Sequence, residues 1–158
     1  MPEPTIQLRA VTEADLPTLF EQQNDPEACR MAAVPFRPRD AFLAHWEKIL
    51  ANETIQKQII LFNGQIAGML VCFERDHDRE VGYWLGRAFW GKGIASAALG
   101  LFLPLIPIRP LHAFAAAHNL GSIRVLEKNG FRLIGSERAS SDVPGVEIDG
   151  CLFLLDAV

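Results

Sequence analysis

Residues Glu80 to Ala98, EVGYWLGRAFWGKGIASAA, constrain this chain more than any other stretch: a strand pattern passes through a glycine-spaced turn into a helix pattern. Gly91 and Gly93 open backbone conformations that other residues resist. The first amides of the new helix, at Ile94, Ala95 and Ser96, have no internal partner, so N–H donors and the positive dipole end converge on an anion. Lys92 adds a mobile positive charge. The loop therefore reads as a diphosphate cradle beyond the carboxyl end of a strand, where open α/β sheets bind ligands.

Two common phosphate motifs fit poorly. A P-loop needs Ser or Thr directly after Gly-Lys, and Gly91-Lys92 is followed by Gly93. The dinucleotide fingerprint needs a third glycine where Ser96 stands. The string instead resembles the pyrophosphate loop of the GNAT superfamily of N-acetyltransferases, whose pattern is Gln or Arg, two residues, Gly, one residue, then Gly or Ala. Trp90, Gly93 and Ala95 occupy those places, and Trp90 departs from the usual first residue. Trp there, after GYWL, is similar to the branch that includes the ribosomal-protein N-terminal (alanine/serine) acetyltransferases.

A second block, Asn119 to Phe131, NLGSIRVLEKNGF, reads as a short helix with Asn119 as N-cap and Gly130 as left-handed C-cap. Asn119, Ser122 and Leu126 share one face. In the resembling family this helix lines the cofactor's pantetheine arm. Leu126 stands where that pattern has a Tyr that often serves as general acid, which shifts attention to Ser122. Lys128 fits the family's Lys place, and Arg124, one turn earlier, reads as either a phosphate contact or a solvated residue. The resemblance spans roughly residues 5 to 137.

Composition agrees. A chain of 158 residues with 49% hydrophobic content suits one compact domain, residues 1–158. Cys29, Cys72 and Cys151 are odd in number and lack metal-ligand spacing, so thiols in a reducing cytoplasm are expected and no metal. The opening MPEPTIQLRA lacks the basic and apolar regions of an export signal. Ile94 to Ile108 is broken by Pro104 and Pro107 and is shorter than the ~20 residues of a membrane span. A formal charge of −4 argues against a nucleic-acid surface.

Along the chain, a strand at Ile6–Ala10 precedes a capping box of Thr12 and Asp15 and a helix ending near Asp25-Pro26. Glu27 to Arg39 reads as an irregular linker, with Pro35 and Pro38 blocking regular structure. A second helix carries Phe42, Trp46, Ile49 and Leu50 on one face. Asn63-Gly64 signals a hairpin between two apolar strands. After a DHDR turn come a strand at Val81–Leu85, the cradle, a helix from Ile94 to near Leu103, a strand at Leu111–Ala117 and the helix from Leu120. Phe131–Ser136 and Val146–Leu155 read as a closing antiparallel pair. The fold class is α/β, a mixed, mostly antiparallel sheet flanked by helices. The resemblance adds two central parallel strands splayed around the cofactor.

The resemblance implies acetyl-CoA as donor, held by Trp84, Leu85, Gly86, the cradle residues, Asn119, Ser122 and Lys128. The acceptor it implies is an amine, led by an α-amino group of a protein or peptide, with a small amine such as a polyamine, amino acid or antibiotic open. Acetyl transfer needs a neutral nucleophile, an oxyanion donor and a group meeting the departing thiolate. Glu80 is the favoured base, against an exposed carboxylate balanced by Arg79, and His118 competes. Backbone amides near Leu85 and Gly86 are the expected oxyanion donors. Ser122 is the expected proton source, with an ordinary first-turn serine as the plain alternative. Tyr83, Trp84, Phe89 and Trp90 read as core and wall residues. A non-catalytic acyl-CoA sensor, a plain nucleotide-binding module and a homodimer also remain open.

Overall fold

Apolar residues at period two define seven strands: β1 (Ile6–Ala10), β2 (Gln56–Phe62), β3 (Gln65–Arg75), β4 (Asp78–Leu85), β5 (Leu111–Ala116), β6 (Arg132–Ser140) and β7 (Glu147–Leu155). The computed structural model describes residues 4–34, 36–140 and 147–156. Pro35 and Val146, both used in the sequence reading, lie outside the described residues. The strands form one sheet in the order β1-β2-β3-β4-β5-β7-β6. Every neighbouring pair is antiparallel except β4 and β5.

That parallel contact is brief. It joins only Arg79 to Leu111 and Glu80 to His112, although β4 runs on to Leu85 and β5 to Ala116. Each strand keeps its outer partner along its length, β3 for β4 and β7 for β5. The sheet therefore opens into a wedge whose two walls are held from outside.

Helices cover both faces. Helices α1 (Leu16–Gln23), α2 (Pro26–Ala32) and α3 (Arg39–Ala51) precede the central hairpins, and α4 (Ile94–Phe102) and α5 (Leu120–Lys128) flank β5 in sequence. Ile59 packs with Leu19, Phe42 and Trp46, whereas its neighbour Ile60 packs with Ile94, Leu99 and Phe102. Both isoleucines are fully buried because successive strand residues point to opposite faces.

Local chemistry explains most boundaries. Asn63 and Gly64 turn the β2–β3 hairpin with φ of 50° and 81°, as Asn-Gly predicts. Asp76 and His77 do the same for β3–β4 with φ of 50° and 70°, so β4 begins at Asp78, three residues before the expected Val81. The α4 helix ends at Phe102 and continues as a 3₁₀ turn at Leu103–Leu105, close to expectation. The expected irregular linker is corrected in part. Pro26 both ends what precedes it and opens α2, because a proline at the first helical position loses no hydrogen bond. Asp25 caps that helix by accepting from the Glu27 amide at 3.0 Å, and Ala33 closes it with φ 57°. Among the described residues, no helix is long and apolar enough to cross a membrane.

The chain entry is fixed by an ion pair between a buried acid and a partly exposed arginine. Asp15, only 4% exposed, accepts from both guanidinium nitrogens of Arg9 at 2.8 and 2.7 Å and from the Thr12 amide at 2.8 Å. The Arg9 bonds outweigh burial and hold the Asp15 carboxyl below its ordinary range. A carboxylate lowered in the folded state adds stability above its unfolded pKa, about 3.9, and loses it as pH falls through the folded value. Asp15→Asn is expected to cost about 2 kcal/mol near neutral pH. Urea unfolding from about pH 5 downward should show the gap to the unmodified protein closing.

Candidate functional site

The wedge between β4 and β5 is the floor of a cavity of about 570 Å³. Its lining runs from the cradle at Gly91 and Gly93, along Val81–Leu85 and Ala113–Ala116, past α5, to Ala28, Met31 and Ala32 of α2.

Register shows which backbone groups face it. The Gly86 amide donates to the Ala67 carbonyl at 2.8 Å, and Leu85 stands opposite Gly68. Antiparallel bonding alternates, so the amides of Trp84 and Gly82 also turn to β3, while those of Tyr83 and Leu85 turn the other way. On that side β5 has already diverged. The Gly86 amide, near which an oxyanion donor was expected, is thus committed to the sheet, and the amides left facing the gap are those of Leu85 and Tyr83.

At the cradle, Gly91 and Gly93 both have φ of 75°, and an added Cβ would meet nothing within 4 Å. These glycines supply a left-handed backbone and an unobstructed approach rather than relief from an internal clash. The first backbone bond of α4 runs from Ala97 N–H to the Gly93 carbonyl at 3.2 Å. The amides of Ile94, Ala95 and Ser96 precede it and have no helical partner. Trp90 fixes the loop to the strand end, donating its indole N–H to the Leu85 carbonyl at 2.9 Å. Lys92 lies outside the lining, with Nζ 5.9 Å from the centre of the Phe62 ring.

On α5, Asn119 Oδ1 accepts from the Ser122 amide at 3.2 Å, the expected cap. Asn119, Ser122 and Leu126 all reach the cavity, as their shared face predicts. Arg124 and Lys128 line its rim. Ser122 Oγ lies 2.6 Å from the hydroxyl of Tyr83, which comes from the opposite wall. Burial pushes the Tyr83 phenol up to about 12, against the bond to Ser122.

Glu80 sits at the closed root of the wedge, beside the cavity lining rather than in it. Its side chain is 15% exposed, with Arg75 Nε at 3.6 Å. Burial raises its pKa, opposed by Arg75 and His112. Gly82, next on the same face of β4, lines the cavity and places no side chain between Glu80 and Trp84. His118 is outside the lining; its Nε2 lies 3.0 Å from the Arg30 carbonyl, tying the end of β5 to α2. Among the described residues, no cluster of three His, Cys, Asp or Glu side chains could hold a metal ion.

Of the residues singled out from sequence, Trp84, Leu85, Gly91, Gly93, Ile94, Ala95, Ser96, Asn119, Ser122 and Lys128 line one cavity. Gly86, Lys92 and Glu80 adjoin it. Sequence reasoning missed the pairing of Tyr83 with Ser122 and the helical form of the α2 wall. Strand parity, which puts Tyr83 on the face of Val81 and Leu85, was the available signal for the first.

Comparison with known proteins bears on this geometry. The family described as the acetyltransferase (GNAT) domain matches residues 5–132. The chain belongs to the GNAT acetyltransferases. The "Putative ribosomal N-acetyltransferase YdaF" of Bacillus subtilis (strain 168) is 27% identical over 118 residues, covering 70% of this chain and 64% of that protein. The "Probable N-acetyltransferase YjcK" of the same organism is 37% identical over 70 residues, covering 42% of this chain and 39% of that protein. The matched segments thus span less than two thirds of these relatives. Among solved structures, spermidine N-acetyltransferase from Vibrio cholerae, in complex with CoA and spermine, superposes with a TM-score of 0.83 at 16% identity, covering 96% of this chain and 95% of that one. RimL, a ribosomal α-N-protein acetyltransferase in complex with coenzyme A, gives 0.82 at 22%, covering 96% and 94%. The seven-stranded mixed sheet with its parallel β4–β5 pair is the GNAT fold.

Behind the β4 wall, the β3–β4 ladder contains one close approach of backbones. A Cβ on Gly68 would run into the Trp84 carbonyl oxygen and come within 3.0 Å of Leu85 Cα. At Gly82 the nearest atom would be Val71 Cγ2 at 3.5 Å, an ordinary contact. Gly68→Ala is expected to cost about 1–3 kcal/mol and Gly82→Ala less than about 1 kcal/mol, read from guanidinium unfolding of the two variants side by side.

Proposed function

We propose that this GNAT protein is an acetyl-CoA-dependent N-acetyltransferase that moves the acetyl group by direct transfer to a primary amine, with an α-amino group of a protein or peptide as the favoured acceptor. One observation carries the reading: an open helix N-terminus, two unpaired β4 amides and a hydroxyl pair share a single cavity. In this reading the diphosphate lies on the amides of Ile94, Ala95 and Ser96, Lys128 supports the nucleotide end, and the pantetheine arm follows β4. The Tyr83 and Leu85 amides face the thioester oxygen as it gains charge. Glu80 takes the acceptor's proton through water, four residues, or about 13 Å, down the strand from Trp84.

The acceptor class has its own support. The described lining contains no Asp or Glu, and Arg124 and Lys128 make it more positive. A polyamine would enter without a counter-charge, whereas a peptide N-terminus presents one amine against the apolar wall of Ala28, Met31 and Ala32. The free thiols of Cys29, Cys72 and Cys151 support a reducing cytoplasm as the setting. Turnover with an amine would set aside the sensor alternative.

Thermal unfolding with ligands is the first test. A ligand at 100 times its Kd stabilises by about 2.7 kcal/mol. The rise is expected with acetyl-CoA and coenzyme A and not with ATP or NAD. Gly93→Val should melt cooperatively yet lose it, because its side chain would occupy the cradle. A rise with ATP or NAD alone would overturn the reading.

The pH profile tests the base. Log kcat/KM should fall with unit slope below the acceptor's α-amino pKa, about 8. It should steepen further below the pKa of Glu80, which burial raises by disfavouring the charged form that the base must adopt. Glu80→Gln should lower the rate about 10²-fold and keep only the first limb.

A further inference from the structure

The chain contains a single tyrosine, Tyr83. It lies on β4, whereas the hydroxyl it meets lies on α5, on the far wall of the wedge. Tyr83 Oη is 2.6 Å from Ser122 Oγ and 3.2 Å from the Ser122 carbonyl oxygen. The shorter contact is the stronger one for an O–H···O pair. A serine has one proton to donate. If Ser122 donates to Tyr83, that proton is lost to any ligand; if Tyr83 donates to Ser122, the serine proton is free to turn into the cavity that both side chains line. The cap from Asn119 Oδ1 to the Ser122 amide holds the first helical turn in place. Leu126, one turn on, is 1% exposed and carries no polar atom to compete.

We propose that Tyr83 is a positioning residue that donates to Ser122 Oγ and so aims the serine proton at the sulfur of the departing thiolate. The inference rests on the N-acetyltransferase reading above. The carbon–sulfur bond of the tetrahedral intermediate breaks, and its electron pair stays on sulfur, where the Ser122 O–H donates a hydrogen bond. The proton released by the amine leaves through the base to solvent, and the thiolate later takes one from solvent.

Acidities decide between a hydrogen bond and a full proton transfer. An ordinary thiol has a pKa of about 8.5, and the Tyr83 phenol is held up to about 12. The proton therefore favours the phenol over the thiolate by about 10³-fold. The pair solvates the thiolate and does not protonate it, which revises the role expected of Ser122 as a proton source. The same high pKa keeps Tyr83 a neutral donor throughout the working pH range.

The test has two readouts. Tyr83→Phe and Ser122→Ala are each expected to lower kcat about 10-fold or more, with KM for acetyl-CoA changed less than about twofold. The double variant should be no slower than Ser122→Ala, since the two hydroxyls act as one unit. The second readout needs no acceptor: the thiolate absorbance of bound coenzyme A is titrated against pH. The thiol pKa should be lower on the unmodified protein than on Tyr83→Phe, with Arg124 and Lys128 present in both. Unchanged kcat and unchanged thiol pKa in Tyr83→Phe, or effects of the two variants that multiply, would overturn the proposal while leaving the enzyme reading intact. Failure of the unmodified protein to bind coenzyme A would remove that reading and this inference with it. Ser122→Ala keeps the Tyr83 ring in place, so the titration remains decisive should Tyr83→Phe fold poorly.

Discussion

The site depends on a shortage of hydrogen bonds. Strands β4 and β5 pair at only two positions, Arg79 with Leu111 and Glu80 with His112. Backbone groups left unpaired inside a protein are costly unless something satisfies them. This fold tolerates them because each strand is fully laddered on its outer side and one apolar core, with residues of β2, β3, β5 and β7 packed against α4, ties the two halves of the sheet together. The rigidity of the walls permits the gap between them, and the gap creates the cavity.

The cavity gathers elements with different physical contributions. The α4 end contributes amides without partners, fixed by two left-handed glycines and the Trp90 indole. The α5 turn contributes a capped serine, and β4 contributes both backbone donors and the phenol that meets that serine. Glu80 stands apart at the root of the wedge, where loss of water makes its charge expensive. Donors of partial charge thus cluster where the lining is open, and the carboxylate is kept at its edge.

Much of this was legible in the sequence because it was local. The cradle, the Asn119 cap, the Asn63-Gly64 hairpin and the Thr12–Asp15 box each depend on residues within a few positions of one another. What escaped was long-range or ambiguous. Tyr83 and Ser122 are 39 residues apart, and no periodicity reports that a strand and a later helix bring two hydroxyls together. The commitment of the Gly86 amide to Ala67 depends on strand register, which composition does not set. Pro26 misled in part because proline stops one helix by the same property that lets it start another.

The Trp90 bond has a consequence for selectivity. An exposed strand edge offers carbonyls and amides in equal measure, and so invites any other strand to add to it. By occupying the Leu85 carbonyl, the indole removes one acceptor from the mouth of the wedge while the Leu85 amide stays available. The edge is thereby biased toward donors, discriminating against a pairing peptide backbone and favouring a guest rich in acceptor oxygens.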